Sequence, residues 1–171
     1  MMGVFVIYVS SLSIPLCLRY DILENMNTRL AILIRNLYIA YCFIARPNTR
    51  GAKVGIFCEG RILLVRLSYY PDTWTFPGGA LDKKETPEEA AIRECREEVG
   101  IVLQDLERVG SLYLEQQYKK DTVSVFRAKA TNPAIFIDGK EVIEADWYDP
   151  ENLPQMGENT KSMLNLVLKQ E

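Results

Sequence analysis

A chain of 171 residues with 48% apolar content and a formal net charge of −3 can bury one sizeable core, and its acidity argues against a nucleic-acid backbone as the main partner. It contains no histidine, which excludes the commonest general base and transition-metal ligand and leaves acid–base chemistry to carboxylates, lysine, tyrosine or metal-bound water. The cysteines Cys17, Cys42, Cys58 and Cys95 stand too far apart for a zinc site and read as buried free thiols in a reducing compartment.

Residues 1–25 form an apolar leader with no basic residue before Arg19, which disfavours a secretory signal. Its run Val4–Leu18 carries serines and Pro15 and falls short of the ~20 apolar residues that cross a bilayer. The abrupt change of composition at Met26 suggests a hypothesis, that translation starts there; intact mass of the native protein tests it, and residues 1–25 found present would refute it. Residues 26–50 read as an N-terminal helix and linker. Thr28–Ala45 is apolar but interrupted by Arg29, Arg35 and Asn36, which suits packing on the domain or lying at a membrane surface, and Pro47–Gly51 reads as a turn or linker.

The main domain is expected over residues 51–171. Ala52–Cys58 and Arg61–Leu67 are apolar, β-rich runs joined at Glu59-Gly60, the pattern of a hairpin. Trp74, Phe76 and the turn Pro77-Gly78-Gly79 lead into a helix, after which Val109–Leu114 and Thr122–Ala130 alternate as strands, with Tyr118–Asp121 as their turn. Glu141–Tyr148 is the last strand with its approach, and Thr160–Leu168 is a short amphipathic helix with Met163, Leu164, Val167 and Leu168 inward. Strands on both sides of one central helix, with a second helix at the end, predict an α+β fold with a mixed sheet between helices.

The central helix carries the chemistry. Thr86-Pro87 with Glu89 reads as a capping box with proline in the first turn, and Gly100 supplies a left-handed stop. At 3.6 residues per turn, Glu94, Glu97 and Glu98 share one arc, Ile92, Cys95 and Val99 fill the adjacent buried arc, and Ala90 and Ala91 sit above the acids and leave room for an approach. Arg93 falls one turn from Glu97, while Glu88 and Glu89 serve to start the helix. Like charges in the C-terminal half of a helix repel one another and oppose the macrodipole, so a cation must neutralise them, and a hard divalent ion with oxygen ligands is the natural candidate.

Gly79, Glu85 and Arg93-Glu94-Cys95-Arg96-Glu97-Glu98-Val99-Gly100-Ile101 together resemble the Nudix box, Gly-x5-Glu-x7-Arg-Glu-U-x-Glu-Glu-x-Gly-U with U aliphatic. The one departure is Cys95 at an aliphatic position, where it is small and apolar enough to pack. The flanks from Gly51 to Pro154 are also similar to the family, including the Trp74–Gly79 lead-in and the closing stretch through Trp147 to Leu153-Pro154. The resemblance implies a Nudix-type α/β/α sandwich and an Mg²⁺- or Mn²⁺-dependent hydrolase. The implied substrate is a diphosphate linkage in a nucleoside diphosphate derivative: a nucleoside triphosphate, ADP-ribose, a nucleotide sugar or a dinucleoside polyphosphate. It implies metal ligation by Glu94, Glu97 and Glu98, with the Gly79 carbonyl as a further ligand and Glu85 as ligand or neighbour. Water activation falls to Glu97, Glu98 or Glu141, with Glu144 in reserve, and Arg93 orients Glu97. Arg66, weighed against a surface charge, and Tyr118, weighed against an ordinary strand-end tyrosine, are the substrate-binding candidates. A non-catalytic nucleotide-binding or regulatory module of the same fold is the alternative, and the full set of box carboxylates weighs against it. The expected partner is a small nucleotide-type molecule, with a homodimer as a further expectation. The expected location is the cytoplasm, with membrane association through residues 4–45 as the alternative.

Overall fold

The computed structural model describes residue 44 and residues 48–116, 119–137, 139 and 141–169. Along these residues run β1 (Asn48–Cys58), β2 (Arg61–Leu67), β3 (Tyr70–Thr75), α1 (Pro87–Val99), β4 (Gln104–Gln116), β5 (Lys119–Lys129), β6 (Val142–Tyr148) and α2 (Glu158–Leu168). The strands form one sheet in the order β3-β2-β1-β5-β4, with β6 also paired to β2. β1 and β5 run parallel and the other pairs antiparallel, so the sheet is mixed, as expected.

Glu59 and Gly60 both take positive φ, 51° and 76°, the left-handed geometry of a tight hairpin between β1 and β2. The two strands stay paired only at Phe57–Ile62 and Cys58–Arg61. Beyond that point they diverge. β3 pairs with β2 at Val65–Leu67, while the segment after β3 lies along β1: Val54 N–H donates to Pro77 O at 3.0 Å, Ala52 N–H to Gly79 O at 2.9 Å, and Leu81 N–H to Arg50 O at 3.0 Å. The chain entering α1 is thereby fixed to the sheet by backbone hydrogen bonds.

α1 covers one face of the sheet over Ala52, Val54, Leu63, Val65 and Phe126, and α2 covers the other over Ile62, Leu64, Phe76 and Val125. Met163, Leu164 and Val167 of α2 are buried, and Leu168 is half-buried at the margin. Cys58 and Cys95 are free, buried thiols.

Several expected boundaries move. Asn48–Gly51, read as linker, are the first residues of β1 and pair with Lys120–Val123, reinforced by Thr49 Oγ1 donating to Asp121 Oδ1 at 3.0 Å. Asn-Thr-Arg-Gly favours a turn locally, and the non-local ladder overrides it. Tyr70–Thr75, read only as a lead-in, is strand β3. Lys119–Asp121, read as part of a turn, belong to β5, and residues 117–118, with the candidate Tyr118, lie outside the described residues. The leader and most of residues 26–47, with Cys17 and Cys42, also lie outside them. Among the described residues, no helix is long and apolar enough to cross a membrane.

Candidate active site

α1 is set in register by local chemistry. Glu89 N–H donates to Thr86 Oγ1 at 3.2 Å and Thr86 N–H donates back to Glu89 Oε2 at 2.8 Å, which closes the capping box and holds the Glu89 carboxyl below its usual pKa. At the other end Gly100 takes φ 68°, and Ile101 N–H closes on Cys95 O at 3.1 Å.

The face α1 presents to the sheet differs from the expected one. Ala90, Ala91, Cys95 and Val99 are fully buried, whereas Ile92 is 42% exposed. The alanines do not leave an open approach in front of the acids. Their small side chains let the helix lie close against the sheet, and this turns the buried arc toward Ala91 and Glu98 and carries Ile92 to the rim. The three acids consequently sit at three depths: Glu98 is 5% exposed, the Glu94 side chain 13% and the Glu97 side chain 63%.

Glu98 and the partly buried Glu94 meet the backbone of the Gly78-Gly79 turn. Gly78 N–H donates to Glu98 Oε2 at 2.7 Å. The Glu94 carboxylate rests against Gly79 so closely that a Cβ there would stand 2.5 Å from Oε1. Gly78 has φ 121°, and a Cβ on it would lie 2.2 Å from Ala52 O, so this turn accepts only glycine. Burial pushes the Glu98 pKa up to about 7; the Lys53 charge and the Gly78 N–H pull against it, while Glu94 and Glu141 add to it. Burial raises Glu94 as well, opposed by its hydrogen bond from Arg93.

Arg93 ties the loop to the helix. Its Nε and Nη2 fork onto Glu85 at 2.8 and 2.9 Å, its Nη1 donates to Glu94 at 2.8 Å, and Nη2 also reaches Ala80 O at 3.1 Å. Glu97, the partner expected for it, is reached at 3.4 Å from the same Nη1. The fork lowers the Glu85 pKa, with the Asp82 N–H at 2.8 Å adding to the effect.

Among the described residues, no three carboxylates or thiols converge on a ready metal cage: Arg93 draws Glu85 and Glu94 to itself, and Glu97 faces solvent. The donors nevertheless suit a hard divalent cation. They are all oxygens, and two are carboxylates, Glu98 buried and Glu94 partly buried, beside a backbone without side chains. The Gly79 carbonyl already accepts Ala52 N–H at 2.9 Å, so it offers a cation its second lone pair.

A family model described as the NUDIX domain matches residues 48–167. The chain belongs to the Nudix hydrolase family. It is 34% identical over 119 residues to a Bacillus subtilis protein that carries the provisional name 8-oxo-dGTP diphosphatase, a match covering 68% of this chain and 78% of that one. It is 36% identical over 95 residues to a human diphosphoinositol polyphosphate phosphohydrolase, covering 56% of this chain and 46% of the relative. The matched stretch is about half the length of the phosphohydrolases of that kind. Among solved structures, the MutT Nudix hydrolase of Burkholderia pseudomallei aligns with a TM-score of 0.64 at 26% identity, over 70% of this chain and 98% of that one.

The Nudix box residues Gly79, Glu85, Arg93, Glu94, Glu97 and Glu98 are thus gathered at one turn, the loop after it and one helix. Glu141, just ahead of β6, lies close enough for its charge to act on Glu98. Arg66 is not brought to these acids by any described contact: it shares the face of Ile62 and Leu64, pairs with Glu144, and lies 5.6 Å over the Trp74 ring. Two features escaped the sequence reading. Lys53 donates to Phe76 O at 2.9 Å and to Gly78 O, and its signal was a lone lysine inside an apolar strand. The Gly78 N–H is a backbone donor, which no side-chain pattern announces.

Proposed function

We propose that this Nudix protein is a divalent-metal-dependent pyrophosphohydrolase that cleaves the P–O–P linkage of a nucleoside diphosphate derivative with water. The observation that carries the proposal is Glu98: a carboxylate 5% exposed, with Glu94 beside it, both against the Gly78-Gly79 backbone. A buried acid with a second, partly buried acid beside it is unfavourable for folding alone and becomes useful where a cation neutralises them. A divalent cation held there would neutralise the diphosphate oxygens and lower the pKa of an attacking water.

Glu94, Glu98 and the Gly79 carbonyl would hold the cation from the buried side and Glu97 from the solvent side, as Mg²⁺ or Mn²⁺. Arg93 keeps Glu85 ionised through its fork and orients Glu94 through Nη1. The proton of the attacking water would go to Glu98, Glu97 or Glu141.

The matched relatives' names support two substrate readings, a nucleotide for the Bacillus protein and a diphosphoinositol polyphosphate for the human one. The nucleotide reading is preferred because the Bacillus match spans more of both chains. A phosphatase-coupled phosphate-release screen with Mg²⁺ or Mn²⁺ tests it, over nucleoside triphosphates including 8-oxo-dGTP, ADP-ribose, nucleotide sugars, dinucleoside polyphosphates and a diphosphoinositol polyphosphate. EDTA-sensitive release from a nucleotide is the expected result. No release from any member, or release indifferent to EDTA, sinks the proposal, and release from the inositol compound alone transfers it to the second class.

A further inference from the structure

Lys53 sits in β1 between Ala52 and Val54, both fully buried, and is itself half-buried. Its ammonium donates to Phe76 O at 2.9 Å and to Gly78 O. Those carbonyls are neutral, and an ammonium drawn partly out of water needs a negative partner to offset lost hydration. The partners are at hand. The Lys53 charge acts on both Glu94 and Glu98, while the Arg93 hydrogen bonds go to Glu85, Glu94, Glu97 and Ala80 O.

The ammonium also sits on the carbonyl side of the same turn whose N–H meets Glu98: Gly78 gives its N–H to Glu98 and its oxygen to Lys53. One peptide segment therefore fixes the buried acid and the cation beside it. A divalent ion attracted by Glu94 and Glu98 enters a region that already holds a positive charge, so the two cations compete for the same carboxylates.

We propose that Lys53 is the resident counter-cation of Glu98 in the metal-free protein, acting on Glu94 alongside the Arg93 ion pair, and that its charge limits how tightly the two carboxylates bind a divalent ion. The inference rests on the divalent-cation reading of the site. Lys53 is then a positioning residue with two effects of opposite sign: it stabilises the empty site and weakens metal binding, which keeps the site folded between metal encounters.

The test uses the full chain as wild type, Lys53→Gln and Lys53→Arg, without nucleotide, with free Mn²⁺ followed by electron paramagnetic resonance and melting followed in EDTA and in saturating Mn²⁺. Lys53→Gln keeps a donor for the carbonyls and loses the charge. It is expected to bind Mn²⁺ about tenfold tighter, the order expected for removing one nearby like charge, to melt below wild type in EDTA and to regain the difference in Mn²⁺. Lys53→Arg restores wild-type behaviour. Unchanged or weaker Mn²⁺ binding by Lys53→Gln overturns the inference. Should Lys53→Gln fail to fold, acetylation of Lys53 in the wild-type chain, read by mass spectrometry with and without Mg²⁺, decides: faster labelling with Mg²⁺ supports competition, and equal rates overturn it. Wild type that binds no Mn²⁺ sinks the proposed function as well, whereas wild-type binding matched by Lys53→Gln sinks this inference alone.

Discussion

The two faces of the sheet use the same device for different ends. On the α2 face, Gly55 leaves room for Val167, whose Cγ1 would stand 2.6 Å from an added Cβ. At the approach to α1, Gly79 leaves room for Glu94, whose Oε1 would stand 2.5 Å from one. The first space is filled by hydrocarbon and ends in packing; the second is filled by a carboxylate and ends in chemistry. α1 also carries Glu98, while the other buried polar residues among those described are Ser124 and Thr160. A carboxylate kept inside a core is a stability loss, and this asymmetry separates the face that supports the domain from the side where the reaction is proposed.

The largest break in that asymmetry comes from Glu98→Gln. The amide can still accept the Gly78 N–H, now at 2.7 Å from Oε2, but it carries no charge. Turnover should fall by about 10²–10⁴, the range for a lost general base, while the metal-free protein near pH 8 becomes more stable by a few kcal/mol. Steady-state rates and denaturant melts in EDTA measure both. Wild-type turnover would remove Glu98 from the reaction, and unchanged metal-free stability would remove the claim that its burial is a cost.

Gly79→Ala and Gly55→Ala then set the two spaces against each other. At Gly79 the obstacle is the far end of a flexible glutamate, which can swing away, so melting should change little while turnover drops about 10–100-fold as a displaced ligand predicts. At Gly55 the obstacle is a branched side chain locked in the core, so stability should fall by about 1–3 kcal/mol with turnover per folded molecule unchanged. If both variants lose stability and keep turnover, the distinction between the faces collapses.

The pH dependence of metal-free stability follows from the same buried acid. Glu98 has a folded pKa of about 7 against a usual 4.5, so the folded state binds its proton more tightly than the unfolded chain does. Its contribution is fully present below about 4.5 and is lost as pH rises through about 7, a fall of about 3 kcal/mol at about 1.4 kcal/mol per unit. Melts in EDTA between pH 4.5 and 8 should show this decline in wild type and a flatter profile in Glu98→Gln. Equal profiles would mean that the carboxyl is ionised without penalty.

What could be read in advance divides along physical lines. α1 was legible to its ends because its signals are local: Thr86-Pro87 with Glu89 closes a capping box within one turn, and Gly100 ends the helix by its own backbone freedom. The spacing of Glu94, Glu97 and Glu98 gives their angles about the helix axis but not which arc meets the sheet, and that was decided by the closeness Ala90 and Ala91 permit. The start of β1 and the whole of β3 were missed because their partners, Lys120–Val123 and Val65–Leu67, lie far away or across an irregular ladder. Arg93 was assigned to Glu97 by its one-turn spacing, while Glu85, eight residues back in a loop, is the nearer partner.

Arg66 gives the smallest expected effect, because opposite contributions nearly cancel there. Its guanidinium pairs with Glu144 and lies over Trp74, but both charged side chains are more than a third exposed, so the ion pair is worth at most about 1 kcal/mol and the ring contact about 0.5–1 kcal/mol. Against these, Arg66 Nε is buried without a hydrogen-bond partner, a loss of about 1–3 kcal/mol that disappears with the side chain. Arg66→Met keeps the apolar stem against Trp74 and leaves Glu144 hydrated, so the net change in stability should stay within about 1 kcal/mol of zero. With its guanidinium committed to Glu144 and Trp74, removal should also leave KM unchanged. A tenfold rise in KM at unchanged melting would instead give Arg66 a phosphate to bind and bring the α2 face into the substrate site.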